Sequence, residues 1–235
     1  MCRLVRLFSG FEQSSEGNGP QIWANRMTKK RVRAKKRSPA EMASGTLRII
    51  GGRFRGRPIR YTGDPRTRPM KQRVREAAFN LIGPPVKGGH VIDLFAGTGA
   101  LAWEAISRGA VGATLIERHF PTARLIKENA EFLGLTDNIE VVASDTFYWA
   151  KKLTPGTAEA ISETPWIVFC SPPYELYVSS LDDMLALVNA MASLAPPKSM
   201  ILVEADERFA MEALPPTVDW DVRRYPPAIL ALGKL

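Results

Sequence analysis

Two short strings carry residue types whose spacing could do chemistry. Asp93-Leu94-Phe95-Ala96-Gly97-Thr98-Gly99 reads as a strand running into a glycine-rich turn that opens a helix. Glycine at 97 and 99 allows a sharp turn and close approach of backbone to a ligand. The helix N-terminus beyond it offers free N–H groups and a positive dipole end to a carboxylate or phosphate. Position 102 is Ala, so the full Gly-x-Gly-x-x-Gly dinucleotide spacing is not met, and no Gly-Lys-Ser/Thr follows to make a phosphate loop. A lone Gly-x-Gly also serves as a plain strand-to-helix turn. The second string, Ser171-Pro172-Pro173-Tyr174, ends an apolar run. Its prolines fix two φ angles and remove two N–H donors. The Ser171 hydroxyl and the Pro172 carbonyl remain as acceptors, a pair suited to holding an exocyclic amine with its lone pair aimed at an electrophile. Tyr174 adds a face on which a base can stack.

Acidic residues follow the intervening strands. Glu117 stands 24 positions beyond Asp93, where a carboxylate can accept both ribose hydroxyls of a nucleoside. Asp145, in Ala143-Ser144-Asp145-Thr146, is placed to meet an adenine amine, with the Thr146 N–H or Phe147 beside the ring. Asp145 also suits a helix N-cap, and one side chain can do both. Acids after three successive strands all point to the carboxyl edge of a parallel sheet, where open α/β sheets bind ligands.

The elements that must position these residues follow an α/β alternation. Strands are expected over 90–95, 113–117, 139–143, 166–170 and 200–204, with helices over 99–108, 120–133, 145–152, 178–194 and 206–213. Segments 219–225 and 228–232, split by Pro226-Pro227, read as a terminal antiparallel pair. Before the alternation, 47–60 reads as a hairpin turning at Gly51-Gly52. A helix is expected from Met70, with Val74, Ala77, Ala78 and Leu81 on one face and Gly83-Pro84-Pro85 as its stop. The fold class is therefore α/β: a Rossmann-like, mostly parallel sheet with a C-terminal antiparallel pair and a small N-terminal hairpin-plus-helix extension. The expected domains are a basic disordered tail over 1–46, the hairpin and helix over 47–85, and a catalytic domain over 86–235, with true domain sequence starting near Thr46.

Charge is divided along the chain. The net charge is +8, yet residues 1–46 hold ten Lys/Arg against three Asp/Glu, residues 47–75 ten against one, and residues 76–235 twelve against twenty. A basic first third on an acidic body implies a polyanionic partner, although the tail alone also serves as a solubilising segment. Arg48, Arg53, Arg55, Arg57 and Arg60 make the hairpin cationic. No run of about 18 apolar residues predicts a membrane span, and Met1–Phe8 is too interrupted by Arg for a secretory signal. Cys2 and Cys170 read as free thiols of a reducing, cytoplasmic compartment. With only His90 and His119 besides, no metal-ligand cluster is expected.

From Leu47 to the C-terminus the chain resembles the RsmD family of class I S-adenosylmethionine-dependent methyltransferases, which act on the N2 amine of a guanine in small-subunit ribosomal RNA. The resemblance runs collinearly through Leu47–Gly52, Thr67-Arg68-Pro69, Arg73–Glu76, Phe79-Asn80 and Asp93–Leu101. It continues through Glu104-Ala105, Ser107–Ala110, Pro172-Pro173-Tyr174, Glu204 and Arg224-Tyr225. It implies that Asp93, Phe95, Ala96, Gly97, Thr98 and Gly99 surround the methionine part of S-adenosyl-L-methionine, that Glu117 with Arg118 holds the ribose, and that Asp145 with Thr146 holds the adenine. Arg68 would lie over the cofactor and, with Arg73 and the hairpin arginines, receive RNA. Two departures stand out. The family's usual Thr-Thr/Ser-Asp after Arg-Pro is Met70-Lys71-Gln72, and the Asp of Asp-Pro-Pro-Tyr/Phe is Ser171.

The expected reaction is direct in-line methyl transfer to an RNA amine, in which alignment matters more than a strong base. The expected catalytic set is Ser171, Pro172, Pro173 and Tyr174. The partner would be small-subunit (16S) ribosomal RNA or the assembling 30S particle, met by a monomer. Ser-Pro-Pro-Tyr also occurs in enzymes that methylate cytosine amines in DNA, so another RNA or DNA base is an alternative target. A catalytically weakened RNA-binding assembly factor is a third reading.

Overall fold

The computed structural model describes residues 45–64, 67 and 69–235. The basic run at 29–37 and Arg68 lie outside the described residues. Seven strands form one sheet in the order β5-β4-β3-β6-β7-β9-β8. Five are parallel: β3 (His90–Asp93), β4 (Gly112–Ile116), β5 (Ile139–Val142), β6 (Trp166–Cys170) and β7 (Met200–Ala205). The last two, β8 (Asp219–Tyr225) and β9 (Ala228–Lys234), are antiparallel, with β9 inserted beside β7.

The chain steps outward from β3 to β4 and β5, then returns to lay β6 on the other side of β3. That reversal opens a crevice at the carboxyl ends of β3 and β6, where a doubly wound sheet binds ligands. Both faces are covered, so the central strands are apolar throughout rather than alternating with polar residues. In β6, Ile167 and Phe169 enter one core, while Trp166, Val168 and Cys170 enter the other. The first core is closed by α1 (Gln72–Ile82), α2 (Ala100–Ser107) and α3 (Phe120–Leu133). The second is closed mainly by α7 (Leu181–Leu194) through Met184, Leu187, Val188 and Met191.

Several boundaries differ from the sequence expectation, each for a local reason. Gly45 and Thr46 belong to β1 (Gly45–Arg48) rather than to a tail, because they pair with Tyr61 and Arg60 of β2 (Pro58–Tyr61). The expected helix over 145–152 is the shorter α4 (Thr146–Ala150), and a further helix, α5 (Pro155–Ile161), follows. It opens on a reciprocal capping pair between Thr154 and Thr157 with Pro155 in the first turn. The helix expected over 178–194 is two: α6 (Leu176–Ser179) and α7, broken at Ser180, whose ψ is 42°. Only a 3-10 turn at Met211–Ala213 remains of the helix expected over 206–213. Among the described residues no helix is long and apolar enough to cross a membrane.

The hairpin is tied to the body by a buried carboxylate. Glu104 of α2 is fully buried and accepts from Ile50 N–H and Gly51 N–H, both at 2.7 Å, and from Arg108 Nε at 2.8 Å. Gly51-Gly52 is therefore more than a turn signal. Gly52 has φ +73°, and a Cβ there would sit 1.9 Å from the Ser107 carbonyl oxygen. Helix α2 begins beside the crevice and ends at Ser107, so its eight residues span about 12 Å toward the opposite sheet edge. The loop carrying Arg53, Arg55 and Arg57 packs against that far end: Arg53 N–H donates to Ser107 O at 2.8 Å.

Candidate active site

A cavity of about 690 Å³ occupies the crevice at the carboxyl edge, a volume suited to a nucleoside-sized ligand. Of the first string, only Phe95 and Gly97 line it. Gly97 has φ +51°, and its N–H donates to Glu117 Oε2 at 2.9 Å, so the loop is folded back onto the end of β4. Ala96, Thr98 and Gly99 are buried beneath it. Gly99 has φ +70°, and a Cβ there would meet the Trp103 ring nitrogen at 2.6 Å. That nitrogen donates to the Thr98 carbonyl at 3.1 Å, so Thr98 and Gly99 shape the loop from within.

Asp93 also lies below the cavity floor, 1% exposed. Burial, with the nearby Glu117 charge, pushes its carboxyl up to about 7, against the pull of the Ala102 and Phe95 N–H groups. Its Oδ1 has no hydrogen-bond partner. Glu117 lines the cavity, and its second oxygen accepts from His119 N–H at 2.7 Å.

Asp145 lines the cavity and caps α4, its Oδ1 accepting from Phe147 N–H at 3.0 Å and Tyr148 N–H at 3.2 Å. Its Oδ2 has no partner among the described residues. Thr146 lines the cavity too, yet its hydroxyl is spent on the Leu94 carbonyl, which leaves only its backbone to face a ligand. Arg118 stands exposed at the rim.

Ser171, Pro172, Pro173 and Tyr174 all line the opposite wall. Their organiser is Glu204 at the end of β7, only 6% exposed. The Ser171 hydroxyl donates to Glu204 Oε2, and the Tyr174 hydroxyl donates to Glu204 Oε1 at 2.7 Å. Burial and the Glu204 charge push the Tyr174 phenol well above its usual range. Arg208, exposed on the same wall, is bound to Glu175 at 2.9 Å and Asp206 at 3.0 Å. In the sequence, Glu204 stands out only through the family resemblance. An acid closing the apolar run Met200-Ile201-Leu202-Val203, at the same sheet edge as Asp93 and Ser171, was the available signal. Thr67, Pro69, Met70 and Lys71 also line the cavity; the sequence marks this segment only through the resemblance at Thr67-Arg68-Pro69.

The cavity is thus acidic inside, through half-buried or buried Glu117, Asp145 and Glu204. Its cations Lys71, Arg118 and Arg208 are exposed. This arrangement suits a cationic ligand within and a polyanion outside.

The arginines expected at RNA are not gathered at this mouth. Arg53, Arg55 and Arg57 are exposed near the opposite sheet edge. Arg48 donates to Gly56 O at 2.8 Å, Arg60 pairs with Glu128 at 3.5 Å, and Arg73 donates to the Pro226 carbonyl. Of these, Arg73 is at the cavity edge, one residue after Gln72 and two after the lining Lys71.

The conserved hypothetical protein 95 family model matches residues 47–226. The chain is 34% identical to ribosomal RNA small subunit methyltransferase D of Escherichia coli K12, over 80% of this chain and 88% of that one. It is 34% identical to the putative rRNA methyltransferase YlbH of Bacillus subtilis, over 61% and 74% respectively. The solved putative methyltransferase yhhF from Escherichia coli superposes with a TM-score of 0.66 at 27% identity, covering 81% of this chain and 98% of that one. With the class I sheet order, the crevice at its switch point and these matches, the chain belongs to the conserved hypothetical protein 95 family, the RsmD-type methyltransferases.

Proposed function

We propose that the protein transfers a methyl group from S-adenosyl-L-methionine to the exocyclic N2 amine of a guanine in small-subunit ribosomal RNA, acting as a cytoplasmic monomer on that RNA or on the assembling 30S particle. One observation carries this reading: three carboxylates and a Ser-Pro-Pro-Tyr corner whose hydroxyl protons are committed to Glu204 converge on one cavity at the switch point of the sheet. The relatives' names supply the RNA and the subunit.

The residues present fit the cofactor. Its sulfonium and ammonium charges match an interior lined by carboxylates, and the buried Asp93 Oδ1, with no hydrogen-bond partner among the described residues, lies under the loop. Phe95 and Gly97 would face its methionine part, with Asp93, Ala96, Thr98 and Gly99 holding the loop from below. Glu117, with Arg118 at the rim, would take the ribose, and Asp145 Oδ2 with the Thr146 backbone the adenine. When bound, the cofactor supplies an electrophilic methyl group.

The chain's own work is alignment. Ser171 and the Pro172 carbonyl hold the amine, and the stiff Pro172-Pro173 pair keeps them in place. The Tyr174 ring stacks on a guanine drawn out of its helix. Arg73 binds phosphates near the mouth. Arg48, Arg53, Arg55, Arg57 and Arg60 bind RNA that runs past the far edge, so the substrate must span the width of the domain. Labelled cofactor, offered with 30S subunits lacking the modification, with naked ribosomal RNA and with DNA, tests the proposal. Methyl-guanine formed in 30S subunits or in ribosomal RNA and mapped to one nucleotide is expected. Label in DNA, or in none of the three, refutes it.

A further inference from the structure

Serine in place of the family's aspartate removes a carboxylate from the amine-binding corner, and the structure sets Glu204, itself part of the family resemblance, against that serine. A hydroxyl carries one proton, and that of Ser171 is committed to Glu204 Oε2. Tyr174 commits its proton to Glu204 Oε1. An ionised carboxylate can only accept, so both hydroxyl oxygens are left with lone pairs alone to offer the cavity. Glu204 is buried, its two oxygens take one hydroxyl each, and it makes no ion pair among the described residues. Arg208, the cation on this wall, is occupied by Asp206 and Glu175.

We infer that Glu204 is the proton acceptor of the reaction, acting through Ser171. This rests on the amine methylation proposed above. The amine nitrogen bonds to the methyl carbon as the carbon–sulfur bond of the sulfonium donor breaks, the electron pair staying on sulfur. The nitrogen, now positive, passes one N–H proton to Ser171 Oγ while the Ser171 hydroxyl proton moves to Glu204 Oε2. The serine is unchanged, the methylated amine is neutral, and Glu204 ends as the carboxylic acid, to be discharged to solvent. Before transfer, the same pairing turns Ser171 into a pure acceptor that orients the amine. Glu204 is thus a positioning residue and terminal base in one, and the serine–glutamate pair does the work of the aspartate.

The test is a four-variant comparison on an RNA substrate that the wild type methylates. Glu204→Gln is expected to lower kcat about 100-fold, a usual size for lost proton transfer, and Ser171→Ala to lower it by a similar factor. Ser171→Asp restores a carboxylate directly at the amine. Glu204→Gln combined with Ser171→Asp is therefore expected to recover at least tenfold over Glu204→Gln alone, its Gln amide now donating to Asp. A merely structural Glu204 would not be rescued this way.

The second readout needs no cofactor. Ultraviolet titration of Tyr174, isolated by subtracting Tyr174→Phe, is expected to move to lower pH in Glu204→Gln, with Tyr177, Cys170, Asp206, Glu175 and Arg208 as the other ionisable groups around the site. Calorimetry with S-adenosylhomocysteine and thermal unfolding serve as folding controls. Should Glu204→Gln not fold, the contrast between Ser171→Ala and Ser171→Asp decides. A Glu204→Gln kcat within threefold of wild type, a recovery below tenfold, or equal losses in Ser171→Ala and Ser171→Asp overturns the inference. A wild type that methylates no amine overturns the function proposed above and the inference with it.

Discussion

Replacing Asp93 with Asn tests how the glycine loop is supported. Asp93 is buried beside Glu117, and its carboxyl is pushed up to about 7 in the folded protein. In the unfolded chain it titrates near its ordinary value of 3.8. Between these two values the folded state binds more protons, so stability falls as pH rises through this window. Each unit of displacement corresponds to about 1.4 kcal/mol, and roughly three units give about 4 kcal/mol of destabilisation, complete above pH 7. Asn keeps the shape and can still accept an N–H, but it carries no charge. Asp93→Asn should therefore match the wild type below pH 4 and exceed it by up to about 4 kcal/mol at pH 8. Urea unfolding of both proteins at intervals from pH 4 to 8, without ligand, measures the gap. Glu117→Gln should narrow the wild-type penalty by removing the neighbouring charge. A gap that stays constant or shrinks as pH rises would refute the reasoning, because Asp93 would then be held ionised by its N–H partners.

Other outcomes follow from the same contacts. Gly99→Ala meets both a left-handed φ and the Trp103 ring. About 1–2 kcal/mol of backbone strain, plus displacement of a fully buried tryptophan, should appear as a lowered urea midpoint with an unchanged slope. Glu104→Ala removes the acceptor of two hairpin N–H groups and strands the Arg75 and Arg108 guanidinium groups. A loss of about 3–5 kcal/mol is expected, with early proteolysis within 45–61. Combined Arg53→Ser, Arg55→Ser and Arg57→Ser should leave cofactor affinity unchanged and reduce the salt dependence of RNA binding by about two units of slope. An unchanged slope would free the far edge of any RNA role.

The outline of the fold was legible because its strands are short apolar runs separated by turn residues, and the turns are local. Asp93–Gly99 and Ser171–Tyr174 announced a turn and a corner through glycine and proline, whose backbone constraints do not depend on neighbours. Pairing of Gly45 and Thr46 with β2 was hidden, since partner choice in a hairpin depends on the register of both strands. The break at Ser180 and the shrinkage of the helix over 206–213 were also hidden, because propensity is weak over short spans and packing overrides it.

By itself the sequence determined which chemistry was available: a hydroxyl and proline carbonyls at 171–173 with two N–H donors removed, glycines at 97 and 99, acids closing successive strands, and cations concentrated before residue 76. Only the tertiary structure decided which of these groups meet. It put Asp93, Thr98 and Gly99 beneath the cavity rather than in its lining, and set the arginine loop against the far end of α2. It also brought Glu204 to Ser171 across 33 positions of chain. The physical reason is that a side chain's role depends on its neighbours, and at a sheet edge those come from adjacent strands distant in sequence. β6 and β7 lie side by side, so the carboxylate at the end of one meets the serine at the end of the other.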